Sequence, residues 1–315
     1  MRKILWKTAL LAVLFVSLAF LVPSAVPRAG AEEVPVYDQE SVRLAEGTSI
    51  PYDVLAPTPD SNAFLADEGG YHDDSLDIHV ETFRAYDTNC WAAWVTVADA
   101  SQIRTELCKP YPSKSTAWAE HISRRVKAVL AINGDYFIDR REGFIVRNGE
   151  VLRRTYYDGY DALVIDDEGD FHILVNPTEE SFAPYEGHIA QAFAFGPGIV
   201  IDGERITEYP SRMMAPQKKT QRICLCQMDH LKYLIIATEG PEQRNCKGLT
   251  MLEFSELVSR FSPQNAYNLD GGSSTWLVLD HQKLNARTKK RTIADILYFV
   301  TTVPEVTEAV EEEAP

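Results

Sequence analysis

An α+β fold, a single domain of mixed or antiparallel β-sheet with a few packed helices, is predicted by three observations. Strand-like segments far outnumber helical ones, and several of them join through short polar turns as hairpins. The regular strand–helix alternation that a doubly wound parallel sheet needs is absent. The domain is expected over residues 71–303, after a leader at 1–31 and an extended lead-in at 32–70, and before an acidic tail at 304–315.

The elements follow in order. Residues 32–70 are rich in Pro, Asp, Glu and Gly without periodicity and read as extended chain. Leu76, Ile78 and Val80 alternate with Asp77 and His79, which predicts a half-buried strand, and Trp91–Ala98 is a second, more apolar one. Trp118, Ile122 and Val126 recur at helical spacing within Thr116–Lys127. Ala128–Ile132 is a short buried strand ending at Asn133-Gly134. Ala162–Ile165 and Phe171–Val175 flank Asp166-Asp167-Glu168-Gly169 as a hairpin, and Arg222–Gln227 with Tyr233–Ala237 form another. Thr250 with Glu253 is a capping box, Leu249 can staple against Phe254, and Phe254, Leu257, Val258 and Phe261 give the helix one apolar face. Ala266–Leu269, Thr275–Leu279 and Asp295–Thr301 complete the strands.

Charge narrows the function. The 315 residues carry 31 Lys and Arg against 46 Asp and Glu, a formal charge of −15, so the broad positive field that nucleic acid requires is lacking. At the N-terminus, Arg2, Lys3 and Lys7 precede an apolar stretch, and Ala29-Gly30-Ala31 offers a small-residue exit. This reads as a secretory signal cleaved after Ala31; its apolar core, about 14 residues, is short of the roughly 20 needed to span a bilayer. An uncleaved anchor is the alternative, and would be the only membrane association. Removing the leader, with four basic residues and no acid, takes the formal charge to −19. The expected location is secreted or cell envelope. Cys90, Cys108, Cys224, Cys226 and Cys246 form an odd set; Cys90 with Cys108 is the expected bridge, while Cys224 and Cys226 share one strand face and are poorly placed to bridge each other.

Two segments place amide, carboxylate and glycine just after a short apolar strand: Asn133-Gly134-Asp135-Tyr136-Phe137 and Asn268-Leu269-Asp270-Gly271-Gly272-Ser273-Ser274-Thr275. Such ends let backbone turn sharply and offer bare N–H groups to an anion. Two acid-free basic stretches stand out against the negative background: Arg212, Lys218, Lys219 and Arg222, then Lys283, Arg287, Lys289, Lys290 and Arg291. Arg222 opens a core strand and so calls for a specific partner, with the paired hydrogen bonds a guanidinium offers phosphate.

Together with residues 195–203, Glu239-Gly240 and Gly248-Leu249-Thr250, these segments resemble the phosphodiester glycosidase family over roughly residues 76–301. Ser273 and the Ile-Cys-Leu-Cys strand after Arg222 depart from it, and Cys226 in place of a usual glycine could narrow the site or reflect a changed substrate. The resemblance implies hydrolysis of a sugar-1-phosphate diester at the anomeric carbon, with a sugar-phosphate or envelope glycopolymer as substrate and no cofactor. A phosphate diester is already a good leaving group, so a strong general acid is less necessary than in ordinary glycoside hydrolysis. Asp270 is then expected beside the anomeric carbon as base or nucleophile, with Asp135 as second carboxylate and Glu239 as a further acid. Asn133 and Asn268 would orient sugar hydroxyls or the loop backbone. Arg222, the N–H groups of Gly271 and Gly272, and the Ser274 hydroxyl would bind phosphate. Two other readings remain: a glycopolymer-binding protein without turnover, and a metal-dependent phosphoesterase cleaving P–O. Asp135, Asp270 and Glu239 could hold a hard cation, but their spacing does not demand one.

Overall fold

Alternating side chains build three sheets in the computed structural model, which describes residues 33–65, 69–209, 215–286 and 291–304, all within the unit Glu32–Pro315. The expected leader, the tail from Glu305 onward, and Arg212, Arg287, Lys289 and Lys290 lie outside the described residues.

The large sheet orders nine strands as Phe64–Leu65, Gly70–His72, Leu76–Ala85, Thr88–Val97, Lys232–Thr238, Ile223–Asp229, Asn265–Asn268, Gly198–Ile201 and Glu204–Arg205. A second sheet runs Phe171–Leu174, Ala162–Asp166, Ile189–Ala194, Ile145–Arg147, Glu150–Arg153, and a third Gln282–Lys283, Leu277–Leu279, Leu130–Asn133, Asp295–Phe299, Ile103–Leu107. Every described pairing is antiparallel. The α+β expectation therefore holds, with the sheets antiparallel throughout the described residues.

The period of two along a strand explains the layering. Ile223 and Leu225 face a central core that gathers Leu130 and Ile132, Leu163 and Phe193, and Leu297 from the other sheets. Cys224 and Cys226 point the opposite way, against Phe254, Leu257 and Val258 of helix Met251–Ser259. Helix Ala119–Arg125 covers the third sheet through Ile122, packed with Ala131, Val278 and Tyr298. Fully burying an aliphatic or aromatic side chain of this size contributes about 1.5–3 kcal/mol, so these faces decide which way each strand turns.

The capping box forms as expected: the Glu253 amide donates to Thr250 Oγ1 (3.2 Å), and the Thr250 amide donates to Glu253 Oε2 (2.9 Å). The helix predicted over 116–127 is shorter, because Ala117 is held extended by reciprocal backbone bonds with Ile293 (2.9 Å each). The lead-in packs down rather than trailing free. Buried Arg104 donates to the carbonyls of Val54 (2.7 Å) and Ile50 (2.6 Å), and Gln39 Nε2 donates to Val95 O at 3.1 Å. None of the five cysteines is in a disulfide; Cys90 and Cys108 sit in separate apolar clusters, which removes the expected bridge. Cys224 and Cys226 do share a face, their sulfurs 3.6 Å apart.

Candidate active site

The two polar strand ends meet. Asn133, at the end of Leu130–Asn133, donates from Nδ2 to the Asp270 carbonyl (2.8 Å) and to the Gly134 carbonyl (3.0 Å), and its Oδ1 accepts from the Trp276 amide (2.9 Å). One side chain thus clamps both ends of the 270 loop to the third sheet. The loop is also laced to the strand carrying Arg222: the Leu269 amide donates to Ile223 O and the Gly272 amide to Gln221 O, both at 3.0 Å. Gly271 is required for this approach, since a Cβ there would lie 2.7 Å from the Gln221 carbonyl oxygen.

Asp270 stands between two cavities. The larger, about 360 Å³, is lined by Asp270, Asn268, Gly271 and Gly272 together with Arg222, Arg140 and Tyr160. The smaller, about 90 Å³, brings Asp270 beside Asn133, Tyr136, Ser274, Arg291 and Asp295. Burial raises the Asp270 pKa from 3.8 to about 6; the Ser274 hydroxyl and the charges of Arg291 and Arg140 oppose the rise, and Asp135 adds to it. The carboxylate is therefore a stronger base than an ordinary aspartate while still ionised at neutral pH.

Arg222 is the complementary charge. Its guanidinium donates to the carbonyls of Leu249 (3.2 Å), Lys218 (2.9 Å) and Ala215 (3.3 Å), and among the described residues it has no carboxylate partner. Burial alone lowers its pKa from 12.5 to about 10, so it remains a cation at neutral pH whose charge is unneutralised. Asn268 donates from Nδ2 to Gly196 O (2.9 Å), while its buried Oδ1 has no hydrogen-bond partner. A guanidinium without a carboxylate partner and a buried amide oxygen give the cavity lining the chemistry to receive an anionic, hydroxyl-bearing ligand.

Other expected residues stand elsewhere. Asp135 is fully buried: Oδ1 meets Arg147 at 2.6 Å and Oδ2 accepts from the Ala194 amide at 2.7 Å. It supports the site from behind and lines neither cavity, so it is withdrawn as a second catalytic carboxylate. Arg147 also binds Asp295 (2.8 Å), and its guanidinium carbon lies 4.1 Å from the centre of the Phe193 ring. Burial works against the Arg147 charge, yet Asp135 and Asp295 together hold its pKa above the ordinary value, while burial holds Asp295 above the usual aspartate range. Gly134 packs on this group, where a Cβ would lie 2.5 Å from the Asp295 carboxylate. Glu239 is buried away from both cavities, its Oε1 accepting from the Ala286 amide (2.6 Å) and its pKa raised by burial. The Gly272 N–H is used in the bond to Gln221 O, while Gly271 lines the larger cavity. Ser274 faces Asp270 and accepts from Arg291 Nε (3.2 Å), so it orients the carboxylate rather than a phosphate. Among the described residues no cluster of three or more Asp, Glu, His or Cys is placed to hold a metal ion.

Arg140, Tyr160, Arg147 and Asp295 were not expected at the site. Arg140 is stacked with its guanidinium carbon 3.9 Å from the Tyr160 ring centre and 4.6 Å from that of Phe195. Arg147 and Asp295 did leave a trace in the sequence, each being a lone charge at the end of an apolar run, at Phe144-Ile145-Val146-Arg147 and Asp295-Ile296-Leu297.

The fold and pocket define an antiparallel α+β protein in which a basic carboxylate and a guanidinium without a carboxylate partner line one cavity. The family model described as phosphodiester glycosidase matches residues 126–300, more than half of the sequence, and the chain belongs to that family. An uncharacterized SPbeta prophage-derived protein of Bacillus subtilis, YomE, is 25% identical over 170 residues, which is 52% of this chain and 26% of that protein. The chain thus spans about a quarter of the curated relative's length. The catalytic domain of zebrafish N-acetylglucosamine-1-phosphodiester alpha-N-acetylglucosaminidase, auto-inhibited by its pro-peptide, shares the fold with a TM-score of 0.57 at 15% identity, over 80% of this chain and 97% of that one. A hypothetical protein from Synechocystis matches with a TM-score of 0.51 at 14% identity, over 72% of this chain and 62% of the other.

Proposed function

We propose that the protein is an exported hydrolase that cleaves the anomeric C–O bond of a sugar-1-phosphate diester. Water oxygen is added to C1 of the sugar, and the phosphate departs as a monoester with the bonding electrons of the C–O bond. The reading is carried by one observation: Asp270 shares a cavity of about 360 Å³ with Arg222, a cation that lacks a carboxylate. Asp270 stabilises the oxocarbenium-like sugar and acts as base or nucleophile. Arg222 and the Gly271 N–H receive the phosphate, whose charge grows as the bond breaks. Asn268 Oδ1 accepts from a sugar hydroxyl, and Tyr160 offers a ring face to the sugar. A single accessible carboxylate is sufficient because the phosphate needs little protonation to leave. The leader expected at residues 1–31 supports export and an envelope glycopolymer as substrate.

Hydrolysis in oxygen-18 water tests the reading. The released phosphate monoester is expected to carry no label; label in the phosphate would mean P–O cleavage and return the phosphoesterase reading. Arg222→Lys replaces a planar fork with a point charge, and is expected to cost about 1.5–3 kcal/mol of phosphate binding, on the order of tenfold or more in KM. Steady-state kinetics unchanged by that substitution would remove Arg222 from the phosphate role.

A further inference from the structure

Arg140 belongs to two cavities. Besides lining the Asp270 cavity it lines a neighbouring groove of about 410 Å³, together with Lys114, Arg141, Arg153, Tyr111 and Phe137. Four cations and no carboxylate line this groove in a chain whose formal charge is −15. Two of the guanidinium groups, those of Arg153 and Arg140, donate to backbone carbonyls. Arg153 donates to Gly143 O (3.0 Å), Phe137 O (3.0 Å), Arg140 O (2.7 Å) and Glu142 O (2.6 Å), and Arg140 donates to Ala194 O (2.9 Å) while stacked on Tyr160. Asp139 and Glu142 are exposed nearby in the chain, but Asp139 and Glu142 do not line the groove. Concave walls with one sign of charge focus the field and raise the local concentration of an opposite charge.

We propose that this groove is a second anion subsite, continuous with the Asp270 cavity through Arg140, which holds a further phosphate of a phosphodiester-linked chain on the leaving-group side. The preferred substrate is then a sugar-1-phosphate carried by a polyanion, not an isolated diester. The inference rests on the hydrolase reading for the direction of the chain, and on the groove itself for the anion.

Lys114 and Arg141 are exposed, and among the described residues neither forms a salt bridge, so the double variant Lys114→Glu/Arg141→Glu reverses charge without disturbing the core. Two substrates are compared: one sugar-1-phosphate diester of glycerol, and the same sugar on a short poly(glycerol phosphate). Wild type is expected to favour the oligomer by kcat/KM, with the preference shrinking as salt rises. The double variant should lose about tenfold on the oligomer and retain its rate on the single diester. An unchanged ratio of the two rates overturns the subsite while leaving the hydrolase intact. If wild type turns over neither substrate, the hydrolase reading fails, and calorimetric binding of poly(glycerol phosphate) decides the subsite separately. Binding weakened by the double variant upholds it; equal binding overturns it.

Discussion

Asp270→Asn is expected to abolish sugar release and, at neutral pH, to make the protein more stable. The two effects have one cause. Burial lifts the carboxyl pKa from 3.8 to about 6, so at pH 7 the folded state carries a charge it would hold more cheaply in water. A folded pKa above the unfolded one means that ionisation destabilises the fold. That cost is fully present above about pH 6, diminishes as pH falls, and is absent below about pH 4, where both states are protonated. A neutral isostere removes it, a gain on the order of 2–3 kcal/mol at pH 7 that should vanish in acid. Loss of a positioned base or nucleophile should lower kcat by about 10²–10⁴-fold. If Asp270 is the base or nucleophile proposed above, wild-type kcat/KM should also fall as pH drops below about 6, where the carboxyl is protonated. Thermal unfolding of both proteins at pH 4 and pH 7, alongside product release, checks all three statements. A variant that is active, or that is destabilised at pH 7, would falsify the assignment of Asp270.

Much of this site was readable because local chain geometry announces it. A buried strand that ends in Asn268-Leu269-Asp270-Gly271-Gly272 must turn at once, and the glycines permit the contact with Gln221. The same local pattern misled at Asp135. Its strand end is equally sharp, but whether the carboxylate faces a cavity or the interior depends on Arg147 and Asp295, residues that no local spacing links to it. Glu239-Gly240 repeats the lesson, since its partner is the amide of Ala286. Arg140 and Tyr160 lie in irregular chain, where an arginine and a tyrosine carry no periodicity to be read, and become a stacked pair only through tertiary contact. Strands were legible where they were long or alternating, as at Leu76–Ala85. They were not where alanine, glycine and proline interrupt the apolar pattern, as at Ile189–Ala194 and Gly198–Ile201 around Gly196-Pro197. The lead-in resisted reading for another reason: Arg104 captures its carbonyls, and carbonyls are common to every sequence.

Arg147→Met is expected to give the largest loss of stability of any single substitution near the site. The wild-type guanidinium touches Asp135 at 2.6 Å and Asp295 at 2.8 Å, with all three side chains nearly inaccessible to solvent. Methionine fills similar apolar volume between Phe137 and Phe193, so the expected loss comes from charge rather than from a cavity. Two carboxylates would be left buried without a cation, and breaking such a pair from one side costs about 3–5 kcal/mol. The sign of the pH dependence identifies the cause. Without Arg147 the buried Asp295, its pKa already raised by burial, binds a proton more tightly folded than unfolded, so the variant should gain stability as pH is lowered through that raised pKa, and lose it again only when other groups titrate. Adding Asp135→Asn and Asp295→Asn should recover most of the loss at pH 7, since the unpaired charges are then gone. Catalysis should not return with stability. Asp295 packs on Gly134, next to the Asn133 that clamps the Asp270 carbonyl, so a loosened triad shifts the carboxylate proposed to react even in a well-folded protein. Equal stability of Arg147→Met and wild type at pH 7, measured by urea unfolding, would mean that water reaches these aspartates and that the buried triad does not hold the site.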